Sequence, residues 1–224
     1  MTRRQYSQPC SLACALDQVG ERWSLLVVRE LSLGPLRFAE LARAVGGAPT
    51  DVLTKRLREL EQAGVVERDE LDPPASGVAY ALTELGHGLE RPMIEMARWG
   101  LNLQTVADVA GLAPSSLPHA FRTILQPPAN TRIAVGLRSG GQAYGLRFRD
   151  GWIEASRGEA RDADLRLSGS PAEVIAALVA GEAAEDGVEI EGDRAVLEQL
   201  RAMVVIPERL REEALALAGA AVAS

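Results

Sequence analysis

The sequence predicts an α+β protein in two parts: a mainly helical N-terminal half closed by a β-hairpin, then an α/β sandwich built on an antiparallel sheet. Three observations carry this. Leucine-rich periodicity near 3.6 residues dominates up to about residue 104. Alternation of period two dominates residues 131–170, with turn signals at Gly140-Gly141 and Asp150-Gly151. Between them the composition turns Pro- and Ala-rich, through Ala113-Pro114-Ser115-Ser116 and Gln126-Pro127-Pro128-Ala129. The reading divides the chain into residues 1–104, a partly helical linker over 105–128, and residues 129–224.

The N-terminal elements follow in order. Cys10 to Val19 reads as a helix that Gly20 breaks. Arg22 to Leu33 reads as a second helix, stopped by Gly34-Pro35 because proline removes a donor and fixes φ. Arg37 to Val45 is a short helix with Phe38, Leu41 and Val45 inward. Gly46-Gly47-Ala48-Pro49 is a turn. The helix that follows begins at Pro49 or Thr50 and ends at Gly64, a C-terminal glycine. Val65–Leu71 and Val78–Leu82 form a hairpin. Thr83 caps a last helix running to about Gln104, with a kink at Pro92.

In the third long helix Leu53, Leu57 and Leu60 make one apolar stripe. At 100° per residue, Asp51, Thr54, Lys55 and Arg58 fall opposite, while Arg56 lies nearer the leucines and is expected to be tucked. A helix pinned by leucines, with hydroxyl, ammonium and guanidinium groups outward, suits a DNA major groove. Helix, corner, helix, turn, helix, hairpin is the order of a winged helix-turn-helix. A solvated polar face is the plainer reading of the same pattern, since Glu59 and Glu61 sit beside the cations.

These motifs resemble the HxlR-type branch of MarR-like transcription regulators. The carrying residues are Cys10 ahead of Trp23, Gly34-Pro35-x-Arg37-Phe38-x-x-Leu41, Leu53-Thr54-x-Arg56-Leu57-x-x-Leu60-Glu61, Gly64-Val65-Val66-x-Arg68 and Tyr80-x-Leu82-Thr83-x-x-Gly86, in order over about residues 10–100. The resemblance implies a dimeric regulator, paired through its first and last helices and reading double-stranded DNA with its third. The expected contact set is Arg37, Thr50, Asp51, Thr54, Lys55, Arg58 and Arg68. It also implies oxidant or electrophile sensing at Cys10, the cysteine matching the sensor of several family members. Two departures stand out. Cys10-Ser11 replaces the usual Cys-Pro. The wing tip Pro74-Ala75-Ser76-Gly77-Val78 is neutral and follows Asp69, Glu70 and Asp72, so phosphates would repel it.

In the C-terminal half an antiparallel meander of at least four strands is followed by a helix at Pro171–Val179, a strand near Val188-Glu189-Ile190, a helix from Asp193 to Met203 and a final helix opened by Pro207. The arrangement is similar to the sterol carrier protein type-2-like domain. The carrying residues are Asp150-Gly151 between strands, Ala163-Asp164-Leu165-x-Leu167, the Pro171 helix and Ile190-x-Gly192-Asp193. That resemblance implies an apolar tunnel holding a lipid-like effector, with Leu146, Phe148, Trp152, Ile153 and Leu178 as lining candidates. The alternative is that these residues pack a core.

Charge and composition bound the rest. The net charge is −7, split as 12 basic and 14 acidic groups (−2) over residues 1–104 and 12 and 17 (−5) over the remainder, so a DNA face must be local. Two cysteines make no disulfide framework, no apolar run reaches a membrane span, and no signal peptide is visible, so the expectation is cytoplasmic. No nucleophile–base pair, paired carboxylate motif, phosphate loop or metal-ligand spacing is present, so neither enzyme nor cofactor is expected. The rival readings are a lipid-binding or transfer protein, and a protein-binding adaptor, whose first half serves only assembly.

Overall fold

The computed structural model describes residues 6–70 and 77–222. The chain divides into two compact units, Met1–Met93 and Ile94–Ser224, each with its own core.

In the first unit α1 (Ser11–Val19) and α2 (Ser24–Leu31) precede a two-residue strand β1 (Leu36–Arg37), then α3 (Phe38–Val45) and α4 (Thr50–Gln62). Strands β2 (Val66–Glu70) and β3 (Val78–Leu82) form the hairpin, and α5 (Glu84–His87) leads to α6 (Glu90–Gly100), within which the division into units falls. The core joins Val27, Val28 and Leu31 of α2 to Leu41 and Val45 of α3 and to Leu53, Leu57 and Leu60 of α4.

Three details differ from expectation. Helix α2 begins at Ser24, because Trp23 before it takes φ 79°, a left-handed conformation that bulky residues rarely adopt. The hairpin is one edge of a three-stranded antiparallel sheet, ordered β1-β3-β2, with Leu36 opposite Tyr80 and Arg37 opposite Ala79. A two-residue strand has no periodicity to read, and its partner lies far along the chain. Finally, the expected Thr83–Gln104 helix is two helices. Thr83 does cap the first, its hydroxyl accepting from the Gly86 amide at 3.1 Å. The chain then turns at Gly88-Leu89, and Pro92 falls in the first turn of α6, where an N–H has no helical partner to lose and no kink is needed.

The second unit contains the rest of α6, α7 (Val106–Ala110), α8 (Leu117–Ile124) and strands β4 (Ile133–Ser139), β5 (Gln142–Arg149), β6 (Trp152–Arg157) and β7 (Leu165–Ser168). Then come α9 (Pro171–Val179), β8 (Glu189–Gly192), α10 (Arg194–Ala202) and α11 (Glu208–Val222). Within residues 105–128, expected as a linker, α8 buries Leu117, Phe121 and Ile124 in this unit's core and packs on β4 and β6.

The five strands are ordered β6-β5-β4-β7-β8. Two-residue turns close β4–β5 and β5–β6, and both residues of each have positive φ (Gly140 55°, Gly141 74°; Asp150 54°, Gly151 71°), the hand that matches strand twist. The sheet is not wholly antiparallel, which corrects the sequence reading: β7 pairs with β4 in parallel, with Val135 opposite Leu165 and Leu137 opposite Leu167. After β6 the chain does not turn back in a hairpin. Residues 158–164 cross the sheet instead, with Ala160 lying over both Gly136 and Gly145, and deliver β7 to the free edge of β4. The alternating pattern of β7 is the same for either direction, so the sequence was silent on it.

Candidate nucleic-acid interface

Helix α4 is positioned by burial. Leu53, Leu57 and Leu60 are each at most 1% exposed, so the rotation of the helix about its axis is set. The Gly46-Gly47 turn ahead of it uses φ of 63° and 70°. The Trp23 ring lies against this turn: a Cβ on Gly47 would sit 3.8 Å from it. Arg22 stacks on the same indole, 4.9 Å from the ring centroid. Sequence reasoning missed this brace, since nothing in the residue types signals a tryptophan at positive φ.

The outward face carries Asp51, Lys55 and Arg58, all exposed, with Thr54 half-exposed beside them. Lys55 Nζ is 3.8 Å from Glu59, a loose i,i+4 pair, and its side chain is 56% exposed. Arg58 has no hydrogen bond or ion pair among the described residues. Thr54 donates to the Thr50 carbonyl at 2.7 Å, which leaves its oxygen able to accept. Thr50 and Asp51 stand in the exposed first turn, where a carboxylate also favours the helix N-terminus. Arg56 is turned inward as expected, with its side chain 9% exposed and in an ion pair with Glu59 at 2.5 Å.

The other two expected cations sit off the helix. Arg37 is exposed at the start of α3, where its backbone amide donates to Glu40 at 2.9 Å. Arg68 on β2 is held by Glu61, with Nε 2.7 Å from the carboxylate, and lies 5.7 Å from the Tyr80 ring centroid. Contacting a phosphate would require it to leave that pair. Glu67 and Asp69 beside it are exposed; of the wing tip Pro74–Val78 read as neutral, Pro74, Ala75 and Ser76 lie outside the described residues.

Cys10 is exposed at the N-cap of α1, and the amide groups of Ala13 and then Leu12 hold its thiol below its ordinary value. Cys14, one turn on, is exposed too. The residues singled out in the second unit lie elsewhere: Leu146, Phe148, Ile153 and Leu178 are at most 2% exposed, and the half-buried Trp152 is stacked by the buried Arg122 at 4.7 Å.

The HxlR-like helix-turn-helix family matches residues 18–107. The HTH-type transcriptional regulator YodB of Bacillus subtilis is 38% identical over 85 residues, spanning 38% of this chain and 76% of that protein. The chain belongs to the HxlR-like helix-turn-helix family. An HTH-type transcriptional regulator of Mycobacterium tuberculosis is 39% identical over 90 residues, but the chain spans only 56% of its length. Among solved structures, the reduced form of YodB is similar at 35% identity and a TM-score of 0.38, over 42% of this chain and 92% of that one. These relatives are transcriptional regulators and not enzymes. The family match stops at residue 107 and leaves the sheet-rich part of this HxlR-like chain to be read from its own residues. Among the described residues no three His, Cys, Asp or Glu side chains are grouped to hold a metal, and no helix is long and apolar enough to cross a membrane.

Proposed function

We propose that the chain is a DNA-binding transcription regulator, acting as a homodimeric repressor in the cytoplasm, with α4 entering the major groove of double-stranded DNA. One observation carries this reading: Arg58, without a partner among the described residues, and the largely exposed Lys55 project from a helix whose rotation three buried leucines set. Guanidinium and ammonium groups in that position can bond guanine O6 and N7 or phosphate oxygens. Thr54 and the exposed Arg37 extend the surface to neighbouring phosphates. Arg68 contributes only by exchanging Glu61 for a phosphate.

Dimerisation would use apolar side chains left in solvent. Leu12 on α1 is 67% exposed, and Met96, Trp99 and Leu103 are 53%, 66% and 70% exposed at i, i+3 and i+7. Ile94, on the same helix, is 2% exposed and belongs to the core instead. Residues 129–224, with α8 of the expected linker packed into the same core, would form a sterol-carrier-like effector or dimerisation domain. A lipid-like ligand between sheet and helices would act by binding the DNA-bound and free dimers unequally, a coupling of typically about 1–3 kcal/mol.

A second reading concerns Cys10. Its exposure and its thiol lowered by the α1 amides favour reaction with oxidants or electrophiles, since the thiolate is the reactive form.

Retention of labelled DNA from the gene's own upstream region tests the main reading. Wild type should retain it and the Lys55→Ala/Arg58→Ala double variant should not. Equal retention at matched salt would remove α4 from the interface, and the assembly-only alternatives, a lipid carrier or an adaptor, would then stand.

A further inference from the structure

The two faces of the second unit's sheet differ in chemistry. One carries Val135, Leu137, Leu146, Phe148, Ile153 and Leu167 into the core. The other lies beneath residues 158–164. Gly136 and Gly145, directly paired, clear the way for that strap: a Cβ on Gly136 would meet Arg166 Cγ at 3.1 Å, and one on Gly145 would meet Ala160 Cβ at 3.4 Å. Beside this close approach the strap stands off the sheet and leaves a groove of about 420 Å³. That volume lies within the range of small-molecule sites, roughly 300–1,000 Å³.

The lining is small and apolar at Ala134, Gly145 and Ala160, and charged at its rim. Three carboxylates face the groove, and each is paired: Asp162 with Arg147 at 2.9 Å, Glu154 with Arg149 at 2.8 Å and Glu159 with Arg138 at 3.1 Å. Arg161 is different. It is exposed on the strap, and its guanidinium has no hydrogen bond or ion pair among the described residues, although its carbonyl accepts from Arg166 at 3.3 Å. With the three acids paired, Arg161 is the lining guanidinium without a carboxylate partner among the described residues, while Arg166 beneath the strap is bonded to the Ala160 and Arg161 carbonyls. The Ser156 hydroxyl on β6 adds a neutral donor to the lining.

We propose that this groove binds a small organic carboxylate with a short apolar tail. The carboxylate bonds Arg161, which offers paired parallel N–H donors, and is assisted by Ser156. The tail lies on Ala134 and Ala160, beside the point where the strap closes on Gly136 and Gly145. The site is on the sheet face opposite Leu146 and Phe148, so it is separate from the lipid-like site proposed above, and binding to it does not depend on any role of α4.

Titration calorimetry on the full chain, with octanoate as the probe and octylammonium as the opposite-charge control of similar length, tests this. Octanoate should bind at one site per chain and octylammonium should not. Arg161→Ala should weaken octanoate binding by about tenfold or more, as expected where a charge-assisted bond is lost, and Arg161→Lys should restore part of it. Ala160→Trp should fill the groove and abolish binding. Because Ala160 packs over Gly136 and Gly145, its melting temperature must match wild type, and if it does not, Arg161→Glu serves instead, at an exposed position. No saturable heat with octanoate, equal binding of octylammonium, or octanoate affinity unchanged in Arg161→Glu would each overturn the assignment.

Discussion

Replacing Arg58 with Ala separates a docking role from a structural one, because the residue has nothing to lose in the free protein. Its guanidinium is exposed and has no partner among the described residues, so the change should leave folding stability within about 0.5 kcal/mol. On DNA the loss is larger. A base-contacting arginine is worth about 1–3 kcal/mol, and a two-fold dimer loses it at both half-sites, giving about 2–6 kcal/mol. At 1.4 kcal/mol per factor of ten this is roughly 30-fold to 10⁴-fold in Kd. The alternative, a phosphate contact, leaves a different trace: the slope of log K against log salt falls by about 0.9 per contact, or about 1.8 for the dimer, with little change in sequence preference. Fluorescence anisotropy across a salt series reads both quantities. Arg68→Ala is the internal comparison. Its exposed pair with Glu61 is worth only about 0–1 kcal/mol to the fold, and that pair would compete with the proposed DNA contact. If Arg58→Ala binds with wild-type affinity and slope while Arg68→Ala collapses binding, the hairpin carries the interface and the argument from α4 fails.

Leu57→Ala, at a side chain 1% exposed between α4 and the core, should cost about 2–5 kcal/mol and abolish DNA binding through unfolding, seen as a lowered melting temperature. Met96→Lys with Trp99→Lys should convert the proposed dimer to monomer by sedimentation, and a persistent dimer would move the interface away from α6. Alkylation at neutral pH should be faster at Cys10 than at Cys14, read by peptide mass spectrometry, because the amides of Ala13 and Leu12 favour the Cys10 thiolate. Glu185 is held below its ordinary value chiefly by its bond to Arg201 at 2.6 Å, with Arg194 assisting. The folded pKa is the lower one, so this contribution to stability is present above the unfolded carboxylate value, about 4.3, and is lost as pH falls through the folded value. Arg201→Gln should flatten stability against pH in that acid range; an unchanged profile would show that the pair is not linked to folding.

The sequence alone carried whatever depends on local periodicity and local turn chemistry. Leu53, Leu57 and Leu60 at helical spacing determined which face of α4 is buried, and therefore that Arg56 turns in while Lys55 and Arg58 turn out. Gly140-Gly141 and Asp150-Gly151 determined two hairpins, because few other residue pairs tolerate positive φ at both positions. Tertiary structure decided what depends on partners distant in sequence. Leu36–Arg37 becomes a strand only because β3 lies beside it. Trp23 holds a left-handed conformation where its ring packs against the turn before α4, a contact invisible in residue types. Strand β7 runs parallel to β4 because the strap over Gly136 and Gly145 carries the chain across the sheet, and a period of two does not record strand direction. Pairing among charges was likewise illegible: Arg68 and Arg58 read alike in sequence, yet Glu61 lies within reach of one, while the other faces solvent from the far side of a helix whose rotation three leucines set.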